Sequence, residues 1–174
     1  MLSQDLVTGL SNIKFATDHI CHECAKCKHV KSSFQPKKVV RTTRPFELVH
    51  MDLCGPMHVQ GRKGHSYVFV LVDDYSRYTW TIFLKFKNET FEEFEILVKQ
   101  VQNKINHQLV SIHSDHGSEF DNVSFVTYCN DHGVTHNFSA PRTSQQNGVV
   151  ERKNRTLEEM ARTMLLESGL PQNF

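Results

Sequence analysis

No apolar run in this sequence is long enough to cross a bilayer: the longest, Tyr67 to Val72, has six residues, against roughly 20 for a spanning helix. That excludes a helical membrane protein. The first residues carry Asp5 and no Lys or Arg, so the basic start and long apolar middle of a secretory signal are both missing and export is not expected. Glycine is scarce, and Gly55, Gly61 and Gly64 fit neither the dinucleotide nor the P-loop spacing. No G-x-S-x-G elbow supports a serine nucleophile. Charge of one sign is lacking too, since 20 Lys and Arg against 19 Asp and Glu leave a net charge of +1. Cysteine is present but not evenly paired. Five is an odd number, with Cys21, Cys24 and Cys27 clustered, and without an export signal a reducing compartment and no disulfides are expected.

What is present describes an ordinary folded chain. With 39% apolar and 22% charged side chains, disorder is excluded, and 174 residues are enough for one main domain and a small appendage. Charge is uneven along the chain. Between Glu23 and Glu47 there is no acid, while Lys26, Lys28, Lys31, Lys37, Lys38, Arg41 and Arg44 are all basic. Such a block either attracts phosphates or is a solvated linker. We divide the chain into a Cys-containing region over 1–34, a basic linker over 35–45 held extended by Pro36 and Pro45, and a main domain over 46–174.

Within that domain the texture is first strand-like. FELVHMDL, YVFVLV and RYTWTIFLK read as an antiparallel meander, the second strand buried on both faces, the third alternating Tyr78, Trp80, Ile82 and Leu84 with Thr79, Thr81 and Phe83. The period then lengthens. Phe91, Phe94, Leu97, Val98, Val101 and Ile105 predict an amphipathic helix over about 89–106. LVSIHSD predicts a short strand over 109–115, Asn122 to His132 a helix stopped by Gly133, and VTHNF a strand over 134–138. After the loop SAPRTSQQNG, Val150, Leu157, Ala161, Met164 and Leu165 mark a long helix ended by Gly169 and Pro171. The class is a mixed α/β sheet with flanking helices.

Chemistry is then left to carboxylates at the ends of elements. Asp52 lies near the end of the first strand, Asp115 at the end of the fourth, and Glu151 in the first turns of the last helix. Spacing alone decides nothing, because Glu95 with Asp131 and Asp131 with Glu167 repeat the 35-residue gap between Asp115 and Glu151. Context separates them, since the other acids sit on helices where surface charge is ordinary. Two carboxylates about 4 Å apart repel by about 4 kcal/mol at an effective dielectric near 20, and a bound cation reverses that sign. Oxygen-only donors suit Mg²⁺ or Mn²⁺ over zinc, and two such ions can clamp the attacking and leaving oxygens of a phosphodiester.

The strings HMDLCGP, YVFVLVDDYSRYTW, HSDHGSEF and SAPRTSQQNGVVERKNRTLEEMARTML resemble the integrase catalytic core of copia-type LTR retrotransposons, and CHECAKCKHVKSSF resembles the end of the zinc-binding pre-integrase region before that core. The resemblance covers nearly the whole chain. It implies a ribonuclease-H-like fold, Asp52, Asp115 and Glu151 as a catalytic triad holding two Mg²⁺ or Mn²⁺ ions, and trimming and joining of DNA ends. One ion would activate the nucleophile and the other stabilise the leaving oxygen. The loop from Ser139 to Gly148, with Gln145, Gln146 and Asn147, would position DNA and let Glu151 move into place. Arg155, one turn beyond Glu151, is a candidate phosphate contact, as are the weaker Lys153, Arg142 and Arg152. DNA ends and target DNA are the implied partners, with a homo-oligomer when full length, no membrane, and the nucleus as destination of a cytoplasmically made polyprotein. A ribonuclease-H-like nuclease that cuts without joining, and an inactive relic that only binds nucleic acid, stand as alternatives.

Plainer roles stand beside these. Arg155 could pair with Glu151 for about 0.2–0.5 kcal/mol. His50 and His113, two residues before Asp52 and Asp115, either support the site or simply pack in the sheet. Asp73 and Asp74 point to opposite faces and read as a hairpin end, Asp121 as a helix cap or first-turn charge, and Cys54 and Cys129 as small apolar side chains. Cys21 and Cys24 form half of a zinc site, whose other half in the family is an upstream His pair; Cys27, His19, His22 and His29 are the substitutes at hand. Where the family has S-D-N-G-G-E-F this chain has His116 and Ser118, and Ser144 stands where Pro is usual. The family's core continues into further helices and a basic region, so truncation at both ends is expected.

Overall fold

The computed structural model describes residues 42–61, 63–139 and 148–170. The expectations for Cys21, Cys24, Arg142, Ser144, Gln145, Gln146 and Asn147, and for the region over 1–34, lie outside the described residues.

Alternation in the first strand decides the layering. In β1, Leu48–Cys54, Val49 and Met51 are fully buried on one face while His50, Asp52 and Cys54 share the other. β2, Tyr67–Asp73, is apolar on both faces: Phe69 and Leu71 join the main core, and Val70 and Val72 a smaller one opposite. β3, Thr79–Leu84, sends Trp80, Ile82 and Leu84 to the main core. Tyr78, expected inside, is exposed, because the strand starts one residue later and its ring lies on Trp80 at 4.9 Å.

Helix α1, Thr90–Ile105, buries Phe94, Val98 and Val101 and stops where Asn106 turns left-handed at φ 54°. β4, Ser111–Ser114, follows, then α2, Val123–His132, β5, Thr135–Phe138, and α3, Gly148–Ser168. The sheet order is β3-β2-β1-β4-β5, antiparallel across the first three strands and parallel for β1-β4 and β4-β5. A three-strand meander extended by two strands is the mixed sheet expected from the pattern of periods.

Two departures are local. The cap of α2 is Asn122, not Asp121: Asn122 Oδ1 accepts the Phe125 N–H at 3.2 Å, whereas the Asp121 N–H closes a turn onto the Gly117 carbonyl. On α3 only Val150 and Asn154 are fully buried; Ala161 and Met164, on the continuation of the apolar stripe, are exposed among the described residues. The main core thus fills the α1 and α2 face of the sheet. Among the described residues the apolar cluster on the α3 face is Val68, Val70, Val72, Val149, Val150 and Leu157, and it is there that the polar side chains of β1 gather.

Candidate active site

The register of the two central strands does most of the positioning. His50 pairs with His113 in the parallel β1-β4 ladder. Asp52 and Asp115 each lie two residues beyond that pair, at the neighbouring ends of β1 and β4. Gly55 ends β1 just past this point; a Cβ there would stand 2.7 Å from the Ser66 carbonyl, and its φ of +139° suits only glycine. From above, α3 reaches down with Asn154, whose amide donates a short hydrogen bond to Asp52 Oδ2. Glu151 lies three residues earlier on the same helix, hence on the neighbouring part of its face.

The electrostatics record the same gathering. The Asp52 carboxyl is raised to about 6, first by burial and then by the charges of Asp115 and Glu151. Hydrogen bonds from the Leu53 N–H and Asn154 only partly offset this. The Cys54 thiol lies 3.9 Å from Asp52 Oδ2 and is pushed up to about 12, first by burial and then by the Asp52 charge, so it stays a protonated weak donor. It is more than the small apolar side chain expected of it.

The three carboxylates do not stand close enough to form a ready ligand cage: among the described residues no group of three His, Cys, Asp or Glu is placed to hold one ion. Each is engaged or solvated apart from the others. Asp52 holds Asn154, Asp115 Oδ1 accepts the Gly117 N–H at 3.0 Å, and Glu151 is exposed on the first turn of α3. Mutual repulsion favours that spread state, and a hard dication would remove it. The donor set fits such an ion, being all carboxylate oxygen, and Asn154 Oδ1 is a further buried oxygen with no hydrogen-bond partner.

Other expected site residues separate. Arg155 is exposed and makes no ion pair with Glu151 among the described residues, and Lys153 is half-buried. Arg152 bends back to donate to the Gly148 carbonyl at 2.7 Å. His50 is packed: its Nε2 meets Asp74 Oδ1 at 3.0 Å, its ring stands edge-on to His113 at 5.5 Å, and burial lowers its pKa. His113 bonds Ser139. Asp73 and Asp74 do brace the β2-β3 hairpin, Asp73 through the Phe46 N–H and Ser76, Asp74 through Thr42, His50 and Arg77.

Residues 42–144 match the model of the family described as the integrase core domain. The chain belongs to the integrase core family. It is 36% identical over 165 residues to the retrovirus-related Pol polyprotein from transposon TNT 1-94 of Nicotiana tabacum, covering 95% of this chain and 12% of that protein. It is 30% identical over 154 residues to the Pol polyprotein from transposon RE1 of Arabidopsis thaliana, covering 88% and 10%. The chain therefore spans about one-tenth of the length of the curated relatives it matches. Among solved structures, the HTLV-2 integrase catalytic core domain in complex with magnesium superposes with a TM-score of 0.54 at 22% identity, over 75% of this chain and 80% of that one. A chain of the simian T-cell lymphotropic virus intasome in complex with PP2A regulatory subunit B56 gamma gives 0.62 at 19%, over 88% and 53%. The fold of this integrase core is thus the ribonuclease-H-like one that the resemblance implied.

One residue of the site escaped the sequence reading. Asn154 looks like a solvated helical side chain, yet its position between Val150 and Leu157 on the apolar stripe is a signal: a polar group facing a core has a partner waiting.

Proposed function

We propose that this integrase core trims and joins DNA ends as part of a retrotransposon integrase, with Asp52, Asp115 and Glu151 as its catalytic carboxylates and Mg²⁺ or Mn²⁺ as the cations they hold. The reading is carried by the Asp52 carboxyl, raised to about 6 by burial and by the charges of Asp115 and Glu151. A buried carboxylate within the field of two other acids is costly unless cations join it. The magnesium in the HTLV-2 structure supports the choice of ion. When bound, a pair of these ions supplies charge stabilisation to both the attacking and the leaving oxygen of a phosphodiester.

The chain's own residues divide the remaining work. Asp52, on a central strand and braced by Asn154, is the rigid donor. Asp115 can leave the Gly117 N–H to turn toward Asp52, and Glu151 approaches from the start of α3. Arg155, exposed and unpaired with Glu151, is placed to take a phosphate, with Lys153 beside it on the helix. Gln145, Gln146 and Asn147, just before α3, would line the DNA path. DNA ends and target DNA are the proposed partners and a multimer the working form, in keeping with the intasome assembly of the simian viral relative. Nuclear action, and zinc at Cys21 and Cys24, belong to the same proposal.

The test is a strand-joining assay in Mn²⁺ on an oligonucleotide duplex bearing a retroelement end. Joined products support the reading. Shortened strands alone indicate a nuclease, and neither product, with binding that falls steeply in salt, indicates a binding relic. Asp115→Asn is expected to abolish joining, by at least about a hundredfold, with an unchanged melting curve.

A further inference from the structure

Acids are unevenly spread around the end of the sheet that carries Asp52. Between Asp52 and Glu89 the sequence holds two, Asp73 and Asp74. Both are buried and taken up by the β2-β3 turn at the opposite end of the sheet. β3 runs parallel to β1, since each is antiparallel to β2, and Leu84, paired with Tyr67, ends it just past the level of Cys54, which is paired with Val68. The β1-β2 hairpin extends beyond that level. There the Met57 N–H bonds the Ser66 carbonyl at 2.7 Å, and the Gly61 N–H bonds the His65 carbonyl at 3.1 Å. The hairpin leans on β3, for the Ser66 N–H bonds the Leu84 carbonyl at 2.9 Å and the His65 ring lies 6.1 Å from that of Phe83.

The exposed charges at this end are cations. Lys63 is exposed in the turn that the Gly64 N–H closes onto the Gly61 carbonyl, and Lys85 and Lys87 are exposed just beyond β3. Lys87 Nζ donates to Ser118 Oγ at 3.2 Å, which links this row to the loop that follows Asp115. Among the described residues no ion pair engages any of the three lysines. Glu89, the next acid, turns inward: its Oε2 accepts the Lys85 and Phe86 N–H groups at 2.9 and 3.3 Å. The Glu119 carboxylate, lying against Gly117, bounds the row on the Asp115 side.

We propose that Lys63, Lys85 and Lys87 form a phosphate-binding band for duplex DNA, carrying the duplex that flanks the reacting phosphodiester across the ends of β1, β2 and β3. The inference rests on the DNA-end reading given above and adds to it a path for the duplex. The sheet sets the span. From β1 to β3 is two strand spacings, about 10 Å, which duplex DNA covers in about three base pairs of about 3.4 Å each. Ammonium groups meet backbone phosphates, which carry no sequence information, so the band orients DNA without selecting its sequence.

The test measures binding of the full chain to a fluorescent duplex bearing a retroelement end, by anisotropy over a range of KCl at fixed Ca²⁺, which holds DNA without cutting it. Each phosphate contact contributes about 0.9 to the slope of log affinity against log salt. Lys63→Gln, Lys85→Gln and Lys87→Gln should each lower that slope by about 1, and the triple variant by about 3, equally for duplexes of unrelated sequence. Arginine at all three positions should keep the wild-type slope, which separates charge from folding. A Lys99→Gln, Lys104→Gln variant, altered at exposed positions of α1, should keep it too. A triple glutamine variant with the wild-type slope, or an equal fall in the α1 variant, overturns the band and leaves the DNA-end reading standing. A wild type that binds no duplex at any salt overturns both.

Discussion

Asp52 carries a folded-state pKa of about 6 against an ordinary value of 3.8, raised by burial and then by the Asp115 and Glu151 charges. An acid whose pKa is raised on folding stabilises the protein where it is protonated in both states. Its contribution is therefore complete below about 3.8 and is lost as pH rises through about 6. In metal-free protein, the difference in unfolding free energy between wild type and Asp52→Asn should change by on the order of 1–3 kcal/mol between pH 4 and pH 7, the variant being favoured at the upper end. Urea melts in chelator across that range measure it, and a pH-independent difference would show that Asp52 does not sit in the field of the other two acids. With Mg²⁺ added the order should reverse at pH 7, because the cation needs the ionised carboxylate that the asparagine lacks. The effect isolates Asp52 from the buried His50, whose lowered pKa is common to both proteins.

At the scale of elements, α3 is the one whose placement decides the site, and its hold on the sheet is slight: Val150 and Leu157 against valines of β2, and the Asn154 amide on Asp52. Removing that amide by Asn154→Ala should cost about 1–3 kcal/mol of stability, since a hydrogen bond to a partly buried carboxylate is lost and α3 loses its polar anchor. Calorimetric titration with Mg²⁺ should show weaker binding as well, whereas a purely surface asparagine would change neither quantity. The elements themselves were legible because each rests on a periodicity. The six-residue apolar run of β2 implied two buried faces, and the three-to-four spacing of Phe94, Val98 and Val101 implied α1. Contacts between remote residues were not legible in the same way. Nothing local joins Asn154 to Asp52 or His50 to Asp74, because strand register and helix docking choose those partners. The Asp121 cap failed for a smaller reason, as two adjacent capping residues compete and only geometry picks Asn122. The three acids could be singled out because they sit at element ends, where burial on a core face is no alternative use for them.

The whole molecule is asymmetric about its sheet, and the asymmetry has a dynamic consequence. Among the described residues one face carries the aromatic core of Phe69, Phe94, Phe120 and Phe125, the other a small cluster of valines and Leu157 beneath α3. Burial of a large apolar side chain contributes about 1.5–3 kcal/mol, so opening α3 away from β1 and β2 should require far less free energy than opening α1 or α2. The weak face is also the one that would bind cations, since Asp52 belongs to the sheet and Glu151 to α3. A cation shared by the two would tie the helix down, adding RT ln(1 + [L]/Kd) to its stability, about 2.7 kcal/mol at a hundredfold excess over Kd. Hydrogen exchange should therefore show α3 as the least protected helix in chelator and slow its exchange about a hundredfold in saturating Mg²⁺, with the amides of α1 unchanged. Equal slowing in α1 and α3 would mean that the ion stabilises the fold from somewhere other than the seam between β1 and α3. No slowing in either would leave the three carboxylates without a cation to hold them together.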